Sequence, residues 1–475
     1  MPKFSVVIPA YNGKEHLGEA IQSVLDQTYP DLEVIIVDDA SPEDITPVIN
    51  SFSDARVRYV RHEMNAGAVA ARKTGVRESQ GEMIAFLDQD DLFHKQKLET
   101  HLQYFQSNPD AGLTYNDRFE VIGVEKELCG IYRPPADLTL ADWVLGFPVS
   151  PSDAVLKREW AVRDEIWDDS FARQAEHVIF NGQEIVFGGR LALDGCKFGG
   201  VGRALNYRRY HPYRVQKYLA ERCQSELDCQ EIIFSDPRCP DEVRALKSLA
   251  SSNIYIMWAY TSFMQEEYQL GQKFLRQALE LNPAYFMQGD PCPFLNAWLF
   301  WISAGTVDYL RSHEEIFKSV FSNLPEELHF LLNKYDWIVS QGYLVKGLHT
   351  MVWGDKEEAG AYLKTAFEKG AFLDDTSMNM MSDDLLNYEA EMGPEASQII
   401  LNQLSDRLSR LNKGAEARSL VGLYTLNRAF RNYGAGRFQT VPTDIRRAMT
   451  SDIKYMSNRG VLSILFRSLY YRFNS

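Results

Sequence analysis

In the first part of the chain, short unbroken apolar runs alternate with stretches whose apolar positions recur every three or four residues. The runs are Phe4 to Pro9 (FSVVIP), Leu32 to Asp39 (LEVIIVDD), Val57 to Val60 (VRYV) and Met83 to Asp88 (MIAFLD). They are rich in β-branched residues and show little polar alternation, the pattern of strands covered on both faces. Between them, Glu15 to Gln27 places Leu17, Ile21, Val24 and Leu25 at helical spacing, and the Ala-rich Ala66 to Ser79 also reads as a helix. Strand alternating with helix predicts a mostly parallel sheet with helices on both faces. Ligands of such sheets bind outside the carboxyl ends of the strands. Asp38 with Asp39, and Asp88 with Asp90, fall at two of those ends.

From about Tyr213 the β-branched runs give way to long helical patterns. We therefore expect an α/β domain over 1–215 and an all-α domain over 216–475. FLRQALELNPAYF (Phe274 to Phe286) resembles the second helix of a tetratricopeptide-type repeat, and GDKEEAGAYLKTAFEKG (Gly354 to Gly370) looks like another copy, without a clean 34-residue period. PFLNAWLFWISAG (Pro293 to Gly305) is too short to span a membrane and reads as a buried helix. The last segment is basic and amphipathic, with Val461, Leu462, Leu465, Phe466, Leu469 and Phe473 on one broad face. The favoured reading is a closing helix docked on the helical domain. The other is a helix lying on an anionic membrane, a peripheral contact.

Composition narrows the class. The chain has 475 residues, 45% of them hydrophobic, a formal charge of −15 and a pI near 5.2. That is ample for packed domains and a poor match to nucleic-acid binding, which rests on Lys and Arg neutralising phosphates. Six cysteines are scattered, with no C-x-x-C pair and no His cluster, so zinc is not expected and reduced thiols are. MPKFSVVIPAYNG enters a strand at once, without a charged-then-apolar signal pattern. The expected location is cytoplasmic, or peripheral at the inner face of the membrane.

The candidate chemistry begins where the fourth run stops on Asp88, Gln89, Asp90 and Asp91. Carboxylates this close repel one another, so a positive partner is expected among them. SVVIPAYNGKEHLGEAIQSVLDQTYPDLEVIIVDDAS, NAGAVAARKTG and GEMIAFLDQDD follow in order. From Phe4 to about Leu98 they resemble the nucleotide-sugar half of family 2 glycosyltransferases of the GT-A fold, and a weaker similarity runs to about Pro212. A Rossmann dehydrogenase is a poorer fit, because no G-x-G-x-x-G follows the first strand. A nucleotidyltransferase would show a Gly-rich loop there, and IPAYNGKEHLG is not one.

The resemblance implies a role for each motif. Asp90, with Asp88 or Asp91, would hold a divalent cation, Mn²⁺ or Mg²⁺, through hard oxygen ligands. Asp88 would approach the sugar or ribose, and Asp90 would lie nearest the metal. Asp39 would accept a hydrogen bond from the base, while Asp38 could brace the loop. Pro9 and Tyr11 follow the first strand, and Tyr11 could stack on the base. Asn65 and Gly67 open the Ala-rich helix, whose N-terminus favours phosphate, and Arg72 on that helix would reach the nucleotide. In the acceptor half the family usually carries Glu-Asp with an Arg downstream. Here Gln183-Glu184 stands in that place, followed by Arg190. Glu184 would then be the base, one methylene longer than usual, with Glu176 and Asp194 as fallback candidates. In YRRYHP, Arg208, Arg209 and His211 would contact the diphosphate or order a loop over the donor.

The function expected from this reading is an inverting, metal-dependent transfer from a nucleotide diphosphate sugar, a UDP-sugar first. The acceptor would be a saccharide, lipid-linked or protein hydroxyl. The helical half would serve as a platform for the acceptor or a partner. The rival is an inactive nucleotide-sugar-binding scaffold, favoured only by the Gln183-Glu184 departure.

Overall fold

A computed structural model describes residues 2–123, 127–146, 149–167, 182–210, 217–304, 311–434 and 436–474. The chain forms two compact units. The first takes in Met1–Pro293 and Asn323–His329, the second Phe294–Ser322 and Phe330–Ser475.

The first unit is built on one mixed sheet. Its strands are β1 (Phe4–Ala10), β2 (Leu32–Asp38), β3 (Val57–Arg61), β4 (Met83–Phe86), β5 (Leu92–Phe93), β6 (Ala111–Ile122), β7 (Glu127–Tyr132), β8 (Ala154–Lys157) and β9 (Lys197–Tyr210). Their order is β3-β2-β1-β4-β8-β6-β9-β5, with β7 also on β6. The four strands read from the apolar runs pair in parallel, β3-β2-β1-β4. β8 then enters antiparallel to both β4 and β6, β9 runs parallel to β6, and β5 closes antiparallel to β9. A parallel half continued by a mixed half, with helices packed on it, fits the GT-A fold class expected above. β4 ends at Phe86, two residues before the expected Asp88, because the chain must turn to present its carboxylates.

The main helices of this unit are α1 (Lys14–Leu25), α2 (Thr46–Asn50), α3 (Ala68–Glu78), α4 (Lys97–Ser107), α5 (Leu140–Leu145), α6 (Arg158–Ala161), α7 (Gln183–Leu193) and α8 (Leu219–Phe234). Alternate residues of each strand serve opposite faces. Val6, Ile8, Val34 and Ile36 pack with Leu17, Ile21 and Val24 of α1 and with Leu98, Leu102 and Phe105 of α4. Val7, Ile35, Val37 and Ile84 pack on the other face with Ala71 and Val76 of α3, Trp143 of α5 and Leu191 of α7. Both faces are dry, which is why the runs are continuously apolar. Each such side chain contributes about 1.5–3 kcal/mol on full burial. Two glycines let helices of this unit pack closely. A Cβ on Gly75 would stand 2.2 Å from Val7 Cγ1, so α3 sits on β1 at a distance only glycine permits. A Cβ on Gly188 would stand 2.2 Å from the Trp143 ring, which fixes α7 against α5 in the same way.

The change in composition near residue 215 lies inside the first unit. The outer faces of α5 and α7 present Val144, Ile185 and Val186, and these are covered by Cys229, Ile233 and Phe234 of α8. Gln230 Nε2 also donates to the Val144 carbonyl at 2.7 Å. Helices that read as a separate domain thus complete the core under α7. All six cysteines are free thiols.

The second unit is helical throughout its described residues. Its core gathers Leu344, Leu348 and Met351 with Leu363, Met381, Leu385, Leu401, Leu404 and Tyr424. Pro293–Ser303 forms the expected buried helix, with Phe294, Trp298 and Leu299 inside. The two repeat-like segments are each the second helix of a hairpin. Tyr268–Leu281 follows Lys247–Met264 in the first unit, and Lys356–Glu368 follows Tyr335–Trp353 in the second. The final helix, Arg459–Asn474, docks through Val461, Ile464 and Leu465 on Leu426, Ile445 and Ala448, as a closing helix should. Phe466 does not share that face, as its spacing had suggested. It is 66% exposed, and Ser468 is buried instead. Among the described residues no helix is long and apolar enough to cross a membrane.

Beneath the acidic turn lies a buried polar network. Lys97 Nζ donates to Asn116 Oδ1 and, at 3.3 Å, to the Asp153 carbonyl, while His101 contacts Thr114 at 2.7 Å and Asn116 at 3.0 Å. Burial lowers the Lys97 pKa to about 7, against the raising pull of Asp153 and Asp91. Unfolding restores the ordinary value of 10.5, so the unfolded state binds the extra proton between these limits and stability rises with pH there. Between pH 7 and 9 the wild type should gain about 2 kcal/mol relative to Lys97→Met in denaturant unfolding. A difference that stays flat, or falls, over that window would show that Lys97 titrates normally.

Candidate active site

The acidic turn is held at both ends. Asp88 N donates to Ser152 Oγ at 3.1 Å, and Asp91 N closes the turn on the Asp88 carbonyl at 3.0 Å. β5 follows at once and pairs with β9, Leu92 opposite Tyr207. Asp91 is turned inward, 5% exposed, and Oδ1 accepts from Arg209 N at 3.2 Å. Burial first, and then the charges of Asp88 and Asp90, push its pKa well above the carboxylate range, against Ser152 and Arg208. The turn's outward carboxylates are therefore Asp88 and Asp90. Crowded like charges and hard oxygen donors fit a divalent cation. Among the described residues no three His, Cys, Asp or Glu side chains are arranged to hold one.

Gln89 is the residue of this turn with no role expected from the motifs. Its Oε1 accepts from Tyr11 N at 2.9 Å, and its Nε2 donates to the Tyr11 carbonyl at 2.9 Å. This two-bond clamp joins the loop after β1 to the loop after β4. Gly13 leaves room for it, since a Cβ there would meet Gln89 Cδ at 2.1 Å. Pro9 is buried in β1, while the Tyr11 ring is left 47% exposed beside the strand ends.

The two aspartates at the end of β2 both brace loops. Asp38 Oδ1 accepts from Ser41 N at 2.8 Å, and Oδ2 from Tyr59 Oη at 2.8 Å and from Arg61. Burial works against its charge, but these partners outweigh it and lower its pKa. Asp39 Oδ1 accepts from Ala66 N at 2.9 Å, and Oδ2 from Gly67 N at 2.7 Å. His62 Nδ1 lies 2.8 Å from Asp39 Oδ1, and its Nε2 lies 2.9 Å from Thr74 Oγ1. In this structure Asp39 thus shapes the start of α3, where Gly67 takes φ 91° as the N-cap and Asn65 is exposed.

α3 delivers Arg72. The guanidinium is buried, with Nη2 2.7 Å from Asp88 Oδ1 and Nη1 4.0 Å from Glu184 Oε1. Burial works against its charge, and Asp88 and Glu184 more than restore it. Its Nε has no hydrogen-bond partner. The structure therefore brings Arg72, Asp88 and Glu184 together around one cation. Glu184 lies in the first turn of α7, where a carboxylate is favoured by the helix dipole. An apolar cavity of about 40 Å³ adjoins the pair, walled by Phe86, Trp143, Trp167 and Phe187.

Other candidates are placed elsewhere. Asp194 caps the far end of α7, about 15 Å along the helix, and is tied to Arg238 at 2.5 Å and Arg163 at 3.5 Å. Arg190 Nη1 donates to the Glu165 carbonyl at 2.7 Å. Arg208 is exposed on β9, near enough to Asp91 to lower its pKa, whereas Arg209 turns inward to Glu19 at 2.6 Å and to His16. Glu176 and His211 lie outside the described residues.

Residues 5–125 match the family model described as glycosyl transferase family 2. The match carries β1 to β6 and the acidic turn, and stops before Glu184 and Arg208. An uncharacterized glycosyltransferase of Rickettsia felis is 45% identical over 107 residues, 22% of this chain and 18% of that protein. The putative teichuronic acid biosynthesis glycosyltransferase TuaG of Bacillus subtilis is 39% identical over 112 residues, 23% of this chain and 44% of its own length. The UDP-Glc:α-D-GlcNAc-diphosphoundecaprenol β-1,3-glucosyltransferase WfaP of Escherichia coli is 28% identical over 160 residues, 33% of this chain and 62% of its own. The similarity thus spans less than two thirds of each of these relatives.

The clamp can be tested by itself. Gln89→Ala removes two hydrogen bonds at a half-buried site and should lower stability by about 1 kcal/mol in thermal unfolding. It should also weaken nucleotide affinity, because the loop carrying Tyr11 is released from the acidic turn. Unchanged nucleotide affinity in titration calorimetry would make the clamp purely structural.

Proposed function

We propose that the chain is a glycosyltransferase that moves a sugar from a nucleotide diphosphate sugar to an acceptor hydroxyl with inversion. The observation that carries this reading is the buried Arg72 guanidinium between Asp88 of the acidic turn and Glu184 of α7. It brings a donor-side carboxylate and a candidate base to one place. The match of residues 5–125 to family 2 glycosyltransferases supports the class.

In this reading the acceptor oxygen attacks the anomeric carbon while the bond from that carbon to the β-phosphate oxygen breaks. Glu184 accepts the hydroxyl proton, and the nucleoside diphosphate leaves with the bonding pair. Arg72 Nη1 stands 4.0 Å from Glu184 Oε1, so a cation faces the carboxylate that would take the proton. The apolar walls of Trp143, Trp167 and Phe187 exclude water that would compete with the acceptor. Asp88 and Asp90 would hold a divalent cation, which when bound neutralises charge on the diphosphate. Tyr11 offers an exposed ring for the base, Asn65 and Gly67 lie at the phosphate-favouring start of α3, and Arg208 offers a cation to the leaving group. WfaP is named for UDP-glucose and a diphosphoundecaprenol-linked sugar, and TuaG for teichuronic acid biosynthesis. These names support a UDP-sugar donor and a lipid-linked saccharide acceptor in cell-envelope polysaccharide synthesis.

A thermal-shift panel of UDP, GDP, dTDP and CMP, each with and without Mn²⁺, tests the donor site. A nucleotide at a hundred times its Kd should stabilise the wild type by about 2.7 kcal/mol. The effect should need the cation and vanish in Asp90→Asn. No shift with any nucleotide would remove the transferase reading. Glu184→Gln should keep the nucleotide shift while turnover falls about 10²–10⁴-fold. Retained turnover in Glu184→Gln would place the base elsewhere.

A further inference from the structure

We infer that the turn Ile453–Ser457 and the helix Arg459–Asn474 form a face that lies on an anionic lipid surface. Two sets of apolar side chains occur in this segment. Tyr455, Val461, Ile464 and Leu465 pack on the helical core and account for the docking of the helix. Ile453, Met456 and Phe466 do not pack there, being 79%, 55% and 66% exposed. Single exposed apolar residues are ordinary on a protein surface. What distinguishes these three is their charge setting. From Ile453 to the end of the chain there is no acidic residue, while Lys454, Arg459, Arg467 and Arg472 are basic, in a chain of formal charge −15. Asp452, just before, pairs with Lys454 at 3.1 Å, so Arg459 and Arg467, both exposed, supply the attraction.

A basic segment in a chain of net negative charge is attracted to an anionic surface, and this attraction would also set orientation. Exposed Ile, Met and Phe side chains add the apolar insertion that a purely electrostatic contact lacks. The contact is interfacial rather than spanning, since the helix is already docked along its other side. Its use, to bring the enzyme to a lipid-linked acceptor, rests on the proposed transferase reading. The docking itself does not.

Co-sedimentation of the full chain with vesicles of phosphatidylcholine, with and without phosphatidylglycerol, tests it in the absence of nucleotide. Binding should require phosphatidylglycerol and weaken with salt. The double variant Arg459→Gln/Arg467→Gln should bind about 25-fold more weakly, at about fivefold for each arginine. Ile453→Ser/Phe466→Ser should also lose binding with an unchanged melting temperature, because both side chains are exposed. Three results would overturn the inference: no binding of the wild type, binding equal with and without phosphatidylglycerol, or variants that bind like the wild type. Concentration-dependent self-association by light scattering, lost in Ile453→Ser/Phe466→Ser and without vesicle binding, would assign the face to a second copy and also overturn it. The nucleotide thermal shift on the same protein reports separately on the transferase reading, so either can fail alone.

Discussion

A cation buried between two carboxylates organises the first unit. Without Asp88 and Glu184 the buried Arg72 would be an uncompensated charge, and without Arg72 the two carboxylates would repel one another. The arrangement depends on backbone placement. Gly75 lets α3 rest on Val7, Gly188 lets α7 rest on Trp143, and Asp39 ties the residues before α3 to the end of β2. Gly75 and Asp39 place the guanidinium through α3, and Gly188 places Glu184 through α7.

The same logic explains why so much polar structure is buried under the acidic turn. Three carboxylates in four residues repel one another and would tend to unwind the turn. Ser152, the backbone of Arg209 and the β5–β9 pairing hold it in place, and the Lys97, Asn116 and His101 network supports it from below. The site is rigid on its inner side and open on its outer side, where Asp88, Asp90, Tyr11 and Arg208 meet solvent.

The helical sequence serves two purposes. α8 completes the core beneath α7 and so takes part in holding Glu184, while the second unit has its own core around Leu348, Leu363, Leu404 and Tyr424. A change in composition therefore does not mark the edge of a compact body here. The outer faces of α5 and α7 were already apolar, and something helical had to cover them.

Much of this was legible in the sequence. A strand buried on both faces must be apolar at every position, so β1, β2 and β4 announced themselves locally, and with them the acidic residues at their ends. Helix spacing located α1 and α3, and Arg72 with them. The closing helix at the C-terminus was also legible, though not its whole face, since Phe466, expected on it, is exposed. Only the tertiary structure decided which of these residues meet. Gln89 clamps Tyr11 from 78 residues away, and no local pattern encodes a side chain bonding to a distant backbone. Asp39 became a loop brace because Ala66 and Gly67 arrive with unpaired amides. Arg209 turned inward while Arg208 turned outward, because neighbouring residues of a strand face opposite ways, and Asp91 turned in to accept from the Arg209 amide. Sequence fixes what each segment can bury, and packing fixes which charges are left facing one another.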